Sequence, residues 1–307
     1  MNKVINDGST HLHKGYINQN KKGQGIQSML KIVMDTAGDL CPGWQEKYNI
    51  EIMPVNIIHN GVSYQQGIDI QYDDFYKIVE NEHVIPATSQ PTPYQFIDFY
   101  KKIAKPSDTV LSIHITDKLS GTLNSARQAA EELKGTYNII PFDSESGSIC
   151  MGMMCKEARL MDMAGKSIDE IMKKLTAIRQ KMELVFTIDT LKFAKLSGRV
   201  KSIQASLASL LDIKPIIELQ DGQIEVIEKV RSRKASLEKM IFHLKQKVGN
   251  RPVHIAIVHA HDPTTGKAVM DEVRQSFNCV ELAFAEISIT LAVHFGPGTI
   301  GIAAYED

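Results

Sequence analysis

At 307 residues, the chain exceeds one average domain and predicts about two. With 43% hydrophobic residues and a formal net charge of −1, it can bury sizeable cores but lacks the positive surface that nucleic acid or an anionic membrane would require as main partner. No apolar run reaches about eighteen residues and no compact apolar leader opens the chain, so neither a transmembrane helix nor a secretory signal is expected.

Residues 1–28 are rich in Asn, Lys, Gln, Gly and His and carry no helical or strand period. They read as a disordered tail or a non-native extension. Met29 stands directly before the first strand-like run, so the native start is expected there.

From residue 30 onward, short apolar runs alternate with helical patterns. Strands are predicted at 30–34, 109–115 and 138–142, and helices at 73–81, Pro93–Ile103, 123–133 and Ile149–Met163. Such alternation implies βαβ units and a mostly parallel sheet. Asn60-Gly61, between Ile57-Ile58 and Val62-Ser63-Tyr64, adds a tight hairpin. Thr92-Pro93-Tyr94-Gln95 combines an N-cap hydroxyl, proline at the first helical position and glutamine three residues on. Ser167-Ile168-Asp169-Glu170 repeats that logic and opens a helix running to Lys181.

The second half has a different grammar: a strand at 184–188, a helix over 191–211, then strand runs at 216–219 and 224–230 around Asp221-Gly222, a strong hairpin signal. A helix at 235–247, a strand at Val253–His259, a helix at 266–277 and further strand-like runs follow. The expected fold is therefore α/β in two domains. Residues 29–182 form an N-terminal, mostly parallel, three-layer α/β domain, and residues 183–307 a C-terminal α/β domain with hairpins. The four cysteines, Cys41, Cys150, Cys155 and Cys279, show no C-x-x-C pair and read as reduced thiols of a cytoplasmic protein.

Several segments could carry chemistry. Ser120-Gly121-Thr122 lies between the predicted 109–115 strand and the helix after it, where free backbone N–H groups and two hydroxyls can cradle a carboxylate or phosphate. The plain alternative is an ordinary helix cap. Thr88-Ser89-Gln90-Pro91 is a polar loop before the Pro93 helix, by itself an ordinary turn. In His294-Phe295-Gly296-Pro297-Gly298, glycines around a proline fix an irregular turn that permits close approach of backbone or ligand, although a lone histidine is more often structural. If the hairpin strand continues, Lys229, Arg231 and Arg233 share one face that suits a phosphate or an acidic partner. A solvated strand end explains them equally well.

His259-Ala260-His261-Asp262 is weak as a metal site, and no metal or cofactor is expected. Met151, Met153, Met154, Met161 and Met163 crowd one helix; they pack a core by default but could line an apolar tunnel. There is no G-x-x-x-x-G-K-[ST] loop, no G-x-G-x-x-G and no G-x-S-x-G, so nothing supports nucleotide binding or a hydrolase elbow.

The order and spacing of these segments resemble the DegV family, fatty-acid-binding proteins that serve bacterial fatty acid kinases. Carrying the resemblance are Asp35-Thr36-Ala37-Gly38-Asp39-Leu40, Gly67-Ile68-Asp69-Ile70, Thr88-Ser89-Gln90-Pro91 and Lys118-Leu119-Ser120-Gly121-Thr122. Later come Ser197-Gly198-Arg199-Val200, Ile213-Lys214-Pro215, Lys229-Val230-Arg231 and the His294–Gly298 run. The resemblance implies a ligand at the domain interface, with Thr88, Ser120 and His294 holding a fatty-acid carboxylate. Ser89, Gly121, Thr122 and Arg231 would add head-group or partner contacts.

It also implies that this chain is no enzyme itself. It would bind one long-chain fatty acid and present it to the ATP-binding subunit of a fatty acid kinase, feeding phospholipid synthesis. The family usually reads Asp-Ser-Thr where this chain has Asp35-Thr36-Ala37, often has a second threonine at Ala87, and has serine at Thr92. Two other functions stay open: an acyl-ester hydrolase with Ser120 as nucleophile and His294 as base, and a module for a small phosphorylated metabolite.

Overall fold

The computed structural model describes residues 29–82, 84–200 and 213–307; the expected tail and start at 1–29 fall almost wholly outside them. Four strands, β1 (Leu30–Asp35), β2 (Ile50–Met53), β6 (Thr109–His114) and β7 (Asn138–Asp143), form a sheet in the order β2-β1-β6-β7. All of its pairings are parallel. A parallel sheet is stable when helices cover both faces, and the side chains of β1 and β6 divide accordingly. Val33 and Val110 face Phe96, Tyr100, Ala126 and Ala129, which belong to α3 (Pro93–Ile103) and α4 (Thr122–Glu132). Ile32, Met34, Leu111 and Ile113 face the other way, onto Met151, Met154, Ile171 and Leu175, supplied by α5 (Ile149–Met163) and α6 (Ile168–Lys181).

Both capping boxes form. Thr92 Oγ1 accepts from Gln95 N, and Ser167 Oγ accepts from Glu170 N, which fixes where α3 and α6 begin.

A small antiparallel sheet, β4-β3-β5, lies beside this body. It comprises β3 (Asn56–His59), β4 (Val62–Gln65) and β5 (Ala87–Ser89), with Asn60-Gly61 at positive φ in the turn between β3 and β4, as the sequence predicts. Of the expected loop at Thr88–Pro91, the first two residues are instead strand, in β5, where Thr88 pairs with Ile57 of β3. The expected helix at 73–81 divides into α2 (Tyr72–Lys77) and a π-helical turn over Ile78–Glu82. Short α1 (Trp44–Lys47) follows β1.

The second sheet has the order β10-β9-β8-β13-β11-β12, built from β8 (Glu183–Thr187), β9 (Lys214–Gln220), β10 (Gln223–Val230), β11 (Val253–His259), β12 (Cys279–Glu286) and β13 (Ile300–Glu306). Only β11 and β12 run parallel. Its outer face packs on Met240, Leu244, Val269 and Val273, from α8 (Arg233–Val248) and α9 (Pro263–Ser276). Its inner face, with Leu184, Phe186, Ala256 and Ala303, joins the same core as α5 and α6. The chain is thus a two-domain α/β protein whose methionine-rich helix layer sits between two sheets.

Between β8 and β9, α7 (Leu191–Ser197) stops at Gly198, which is left-handed at φ 67°. The expected helix therefore breaks there, since only glycine enters that conformation without strain. The rest of that expectation, residues 201–211, lies outside the described residues. Finally α10 (Ile289–Phe295) packs Ile289, Ala292 and Val293 against Ile57, Phe75 and Tyr76, wedging an apolar helix between the small sheet and the second sheet.

Candidate functional site

Parallel sheets open a crevice beyond the carboxyl ends of their strands, where loops diverge. Here the chain leaving β1 supplies Ala37, that leaving β6 supplies Ile115 and Leu119–Gly121, and that after β7 supplies Gly147 and Ser148 to one cavity. The opposite wall comes from the second sheet and α10: Phe186, Leu219, Ile224, Thr290, Leu291 and Phe295. The cavity measures about 170 Å³. A further apolar compartment of about 40 Å³ adjoins it, sharing Ser148, Leu184, Phe186, Leu291 and Phe295.

Thr88, Ser120 and His294 all line this cavity, although 206 residues separate Thr88 from His294. The ladder to β3 fixes Thr88, and its hydroxyl shares a 2.9 Å hydrogen bond with His294 Nε2. His294 Nδ1 is buried and has no partner among the described residues. Burial, and then the charge of Arg199, depress the imidazole to a pKa of about 4, so the ring is neutral near pH 7. Ser120 Oγ accepts from Thr122 N at 3.3 Å and shares a 2.9 Å bond with Thr122 Oγ1. The strand–loop–helix turn thus brings a hydroxyl and the start of an eleven-residue helix to the cavity. At Gly121 the Gln90 side-chain amide packs directly over the backbone, where a Cβ would displace it; that amide reaches Ser125 Oγ at 3.1 Å.

Other expected contacts are not brought here. Ser89 is exposed on β5 and does not line the cavity. Thr122 is fully buried and faces Ser120 instead. Arg231 is exposed and absent from the lining. Lys229, Arg231 and Arg233 do not share a strand face, because β10 ends at Val230 and Ser232 caps α8 by accepting from Ala235 N. Arg233 turns inward, donating to the Gly298 carbonyl and lying 3.6 Å from Asp262, so it braces the glycine-rich turn. None of the five methionines of α5 lines the cavity; Met151, Met153 and Met154 are core. Ser120 and His294 are each engaged elsewhere, with Thr122 and Thr88, which leaves no nucleophile–base hydrogen bond for a hydrolase.

Sequence reasoning missed Arg199, Gln90, Ser148 and Thr290 as lining residues. Arg199 stands in the quoted Ser197-Gly198-Arg199-Val200 run, directly after the left-handed Gly198 that ends α7. No acidic side chain of the described residues lines the cavity. Hydroxyls, an amide, an imidazole and a guanidinium line the cavity together with apolar side chains, a combination suited to an anionic head on an apolar body.

The floor beneath these loops is held by buried polar pairs. Asp35 Oδ1 accepts from Ala37 N at 2.8 Å; its Oδ2 accepts from Ile115 N at 3.2 Å and meets His114 Nδ1 at 2.9 Å. His114 Nε2 continues to Ser112 and then Tyr100. One carboxylate thereby ties together the exits of β1 and β6. Asp39 links the first body to α10: it accepts from Ser288 N at 2.8 Å and from the Ser148 hydroxyl. Thr36 and Thr290 share a 2.9 Å bond beside it.

Residues 29–307 match the family model described as "Uncharacterised protein, DegV family". A DegV domain-containing protein of Listeria monocytogenes, lmo2514, is 32% identical over 90% of this chain and 98% of its own length. Protein DegV of Bacillus subtilis is 28% identical over 89% and 98%. Among solved structures, a DegV family protein of Thermus thermophilus described by its fatty acid binding superposes with a TM-score of 0.83 at 28% identity, covering 91% of this chain and 100% of that one. A stearic-acid-binding protein of Eubacterium ventriosum gives 0.82 at 26% identity, covering 91% and 98%.

Proposed function

This chain belongs to the DegV family, and on that premise we propose that it binds one long-chain fatty acid, its tail in the apolar cavity between the sheets and its carboxylate at Thr88, Ser120 and His294. The observation that carries the reading is that those three side chains line one cavity together with Arg199 and a set of apolar side chains. Fatty acid binding by the Thermus and Eubacterium structures supports it.

The energetics divide between tail and head. Burying about fourteen methylenes at ~0.8 kcal/mol each gives a gross gain of about 11 kcal/mol, reduced by the entropy lost on binding. The head group sets orientation, because a carboxylate entering a low-dielectric cleft is costly unless donors meet it. The hydroxyls of Thr88 and Ser120, the imidazole and the N–H groups opening α4 supply donors, and Arg199 supplies charge at the rim in place of Arg231.

In this reading the head group faces outward and the bound acid is the substrate of a fatty acid kinase, whose ATP-binding subunit brings nucleotide and metal. Phosphorylation of the carboxylate would give an acyl phosphate for phospholipid synthesis, with this chain as carrier in the cytoplasm. Thr88→Val and Ser120→Ala, each removing one head-group donor, are expected to weaken palmitate or oleate binding by about tenfold, one hydrogen bond to a charged group, with the thermal midpoint within a few degrees of wild type. Unchanged affinity in both variants would refute the head-group assignment.

A further inference from the structure

Helix α10 has only seven residues, and His294 is the last but one of them, so the place of the imidazole depends on what holds that end. Helix ends leave carbonyls without intrahelical partners; here the Thr299 hydroxyl donates to those of Phe295 and Gly296, at 3.1 Å and 2.8 Å. In the turn that follows, Gly296 and Gly298 are both left-handed, at φ 79° and 76°. Glycine has little conformational preference of its own, so tertiary contacts decide the path of this turn. The main chain supplies two: Gly298 N donates to Ala260 O at 2.8 Å, and Ala260 N to Thr299 O at 2.9 Å. Arg233 supplies the third, donating from Nη2 to the Gly298 carbonyl. Among the described residues, no other side chain from outside the turn donates to the backbone of residues 295–299.

The guanidinium is itself well anchored. Arg233 opens α8 directly after Ser232, whose Oγ caps that helix by accepting from Ala235 N at 3.1 Å. It lies 3.6 Å from Asp262, whose Oδ1 caps α9 by accepting from Thr265 N at 3.1 Å. Asp189, held by Lys214 at 2.7 Å, packs against the same turn, its Cβ 2.8 Å from where one at Gly298 would stand.

We propose that Arg233 is a positioning residue for the ligand's head group, acting through the Gly296–Thr299 turn to hold His294 in place. The inference rests on the fatty-acid reading above. It gives Arg233 a part in binding without contact: two capped helix starts set the guanidinium, the guanidinium sets the turn, and the turn sets the end of α10. A hydrogen bond to a charged group weakens when its donor is misplaced, whereas the apolar contacts of the tail tolerate the same displacement better.

The test compares palmitate with hexadecanol, which has the same tail and no carboxylate, by displacement of a fluorescent fatty acid. The ratio of the two affinities reports the head group and cancels effects shared by the tail. Arg233→Met is expected to lower the acid-to-alcohol ratio by about tenfold. Arg233→Lys retains one charged donor, which reaches the Gly298 carbonyl or Asp262 but not both, and should lower it by about threefold. It carries the test if Arg233→Met does not fold. In a His294→Ala background, either Arg233 substitution is expected to change the ratio by less than about twofold, because the group it positions is gone. A ratio unchanged in the folded variants, or one that falls equally with and without His294, would overturn the positioning role and leave the carrier reading standing. A wild type that binds neither compound, or prefers the alcohol, would overturn the head-group reading together with it.

Discussion

Asp39 is 2% exposed, and burial raises its carboxyl from 3.8 to a pKa of about 6. It fastens the Ser288 end of α10 to the loop after β1. Because the native state holds this proton up to about pH 6 while the unfolded chain releases it near the ordinary value, the native state binds more protons across that window and loses stability as pH rises through it. The whole shift corresponds to roughly 3 kcal/mol, of which about 2 kcal/mol falls between about pH 4.5 and 7.5. Wild type alone conceals this, since His294 acts in the opposite sense. Its native pKa of about 4 lies below the ordinary 6.5, so its contribution is full above the latter and is lost as pH falls toward the former.

Asp39→Asn keeps the shape, an acceptor for Ser288 N and a group that can donate to Ser148, yet cannot ionise. Urea denaturation of wild type and Asp39→Asn across that range isolates the aspartate, because both proteins carry the histidine. The unfolding free energy of wild type minus variant is expected to fall by about 2 kcal/mol from about pH 4.5 to about 7.5. A difference flat within about 0.5 kcal/mol would refute the burial argument.

Other perturbations read the same geometry. Asp35→Ala leaves His114 and two backbone N–H groups without their acceptor; a loss of about 3–5 kcal/mol is expected in equilibrium denaturation. Gly296 lies at φ 79° with the Phe193 ring against the position of a Cβ, so Gly296→Ala is expected to cost at least about 2 kcal/mol and to weaken ligand binding through the adjacent His294. Cys150 and Cys155 are fully buried and Cys41 nearly so, with burial pushing all three thiols up, whereas Cys279 is half-buried. In the native protein Cys279 should therefore react first with a disulfide reagent, and all four thiols only after denaturation; fast native reaction of Cys150 would contradict the packing of α5.

The parallel body was legible because its signals are local. Capping boxes at Thr92 and Ser167 set helix starts, Asn60-Gly61 set a hairpin, and apolar runs gave β1, β6 and β7. Thr88, Ser120 and His294 were named through resemblance, since local sequence favoured an ordinary turn, cap and structural histidine at each. Their meeting depends on α10 wedging against β3 and β5, a long-range contact with no trace in spacing. Arg199 stood in the Ser197-Gly198-Arg199-Val200 run, but its place at the cavity depends on the left-handed turn at Gly198 and on long-range packing. Arg231 misled because the Lys229–Arg233 run looks like a continuing strand; the capping hydroxyl of Ser232 ends it. The methionines of α5 misled less: Met151, Met153 and Met154 lie in the buried first half of that helix, packed into the core between the two sheets, and Met163 at its end is exposed.

The most direct test of the central claim is to purify the full chain from cells without added lipid, denature it, and identify the released small molecules by mass spectrometry. The account predicts near-stoichiometric long-chain fatty acid in wild type and a reduced amount in Ser120→Ala. An empty protein that also takes up neither palmitate nor oleate would contradict it.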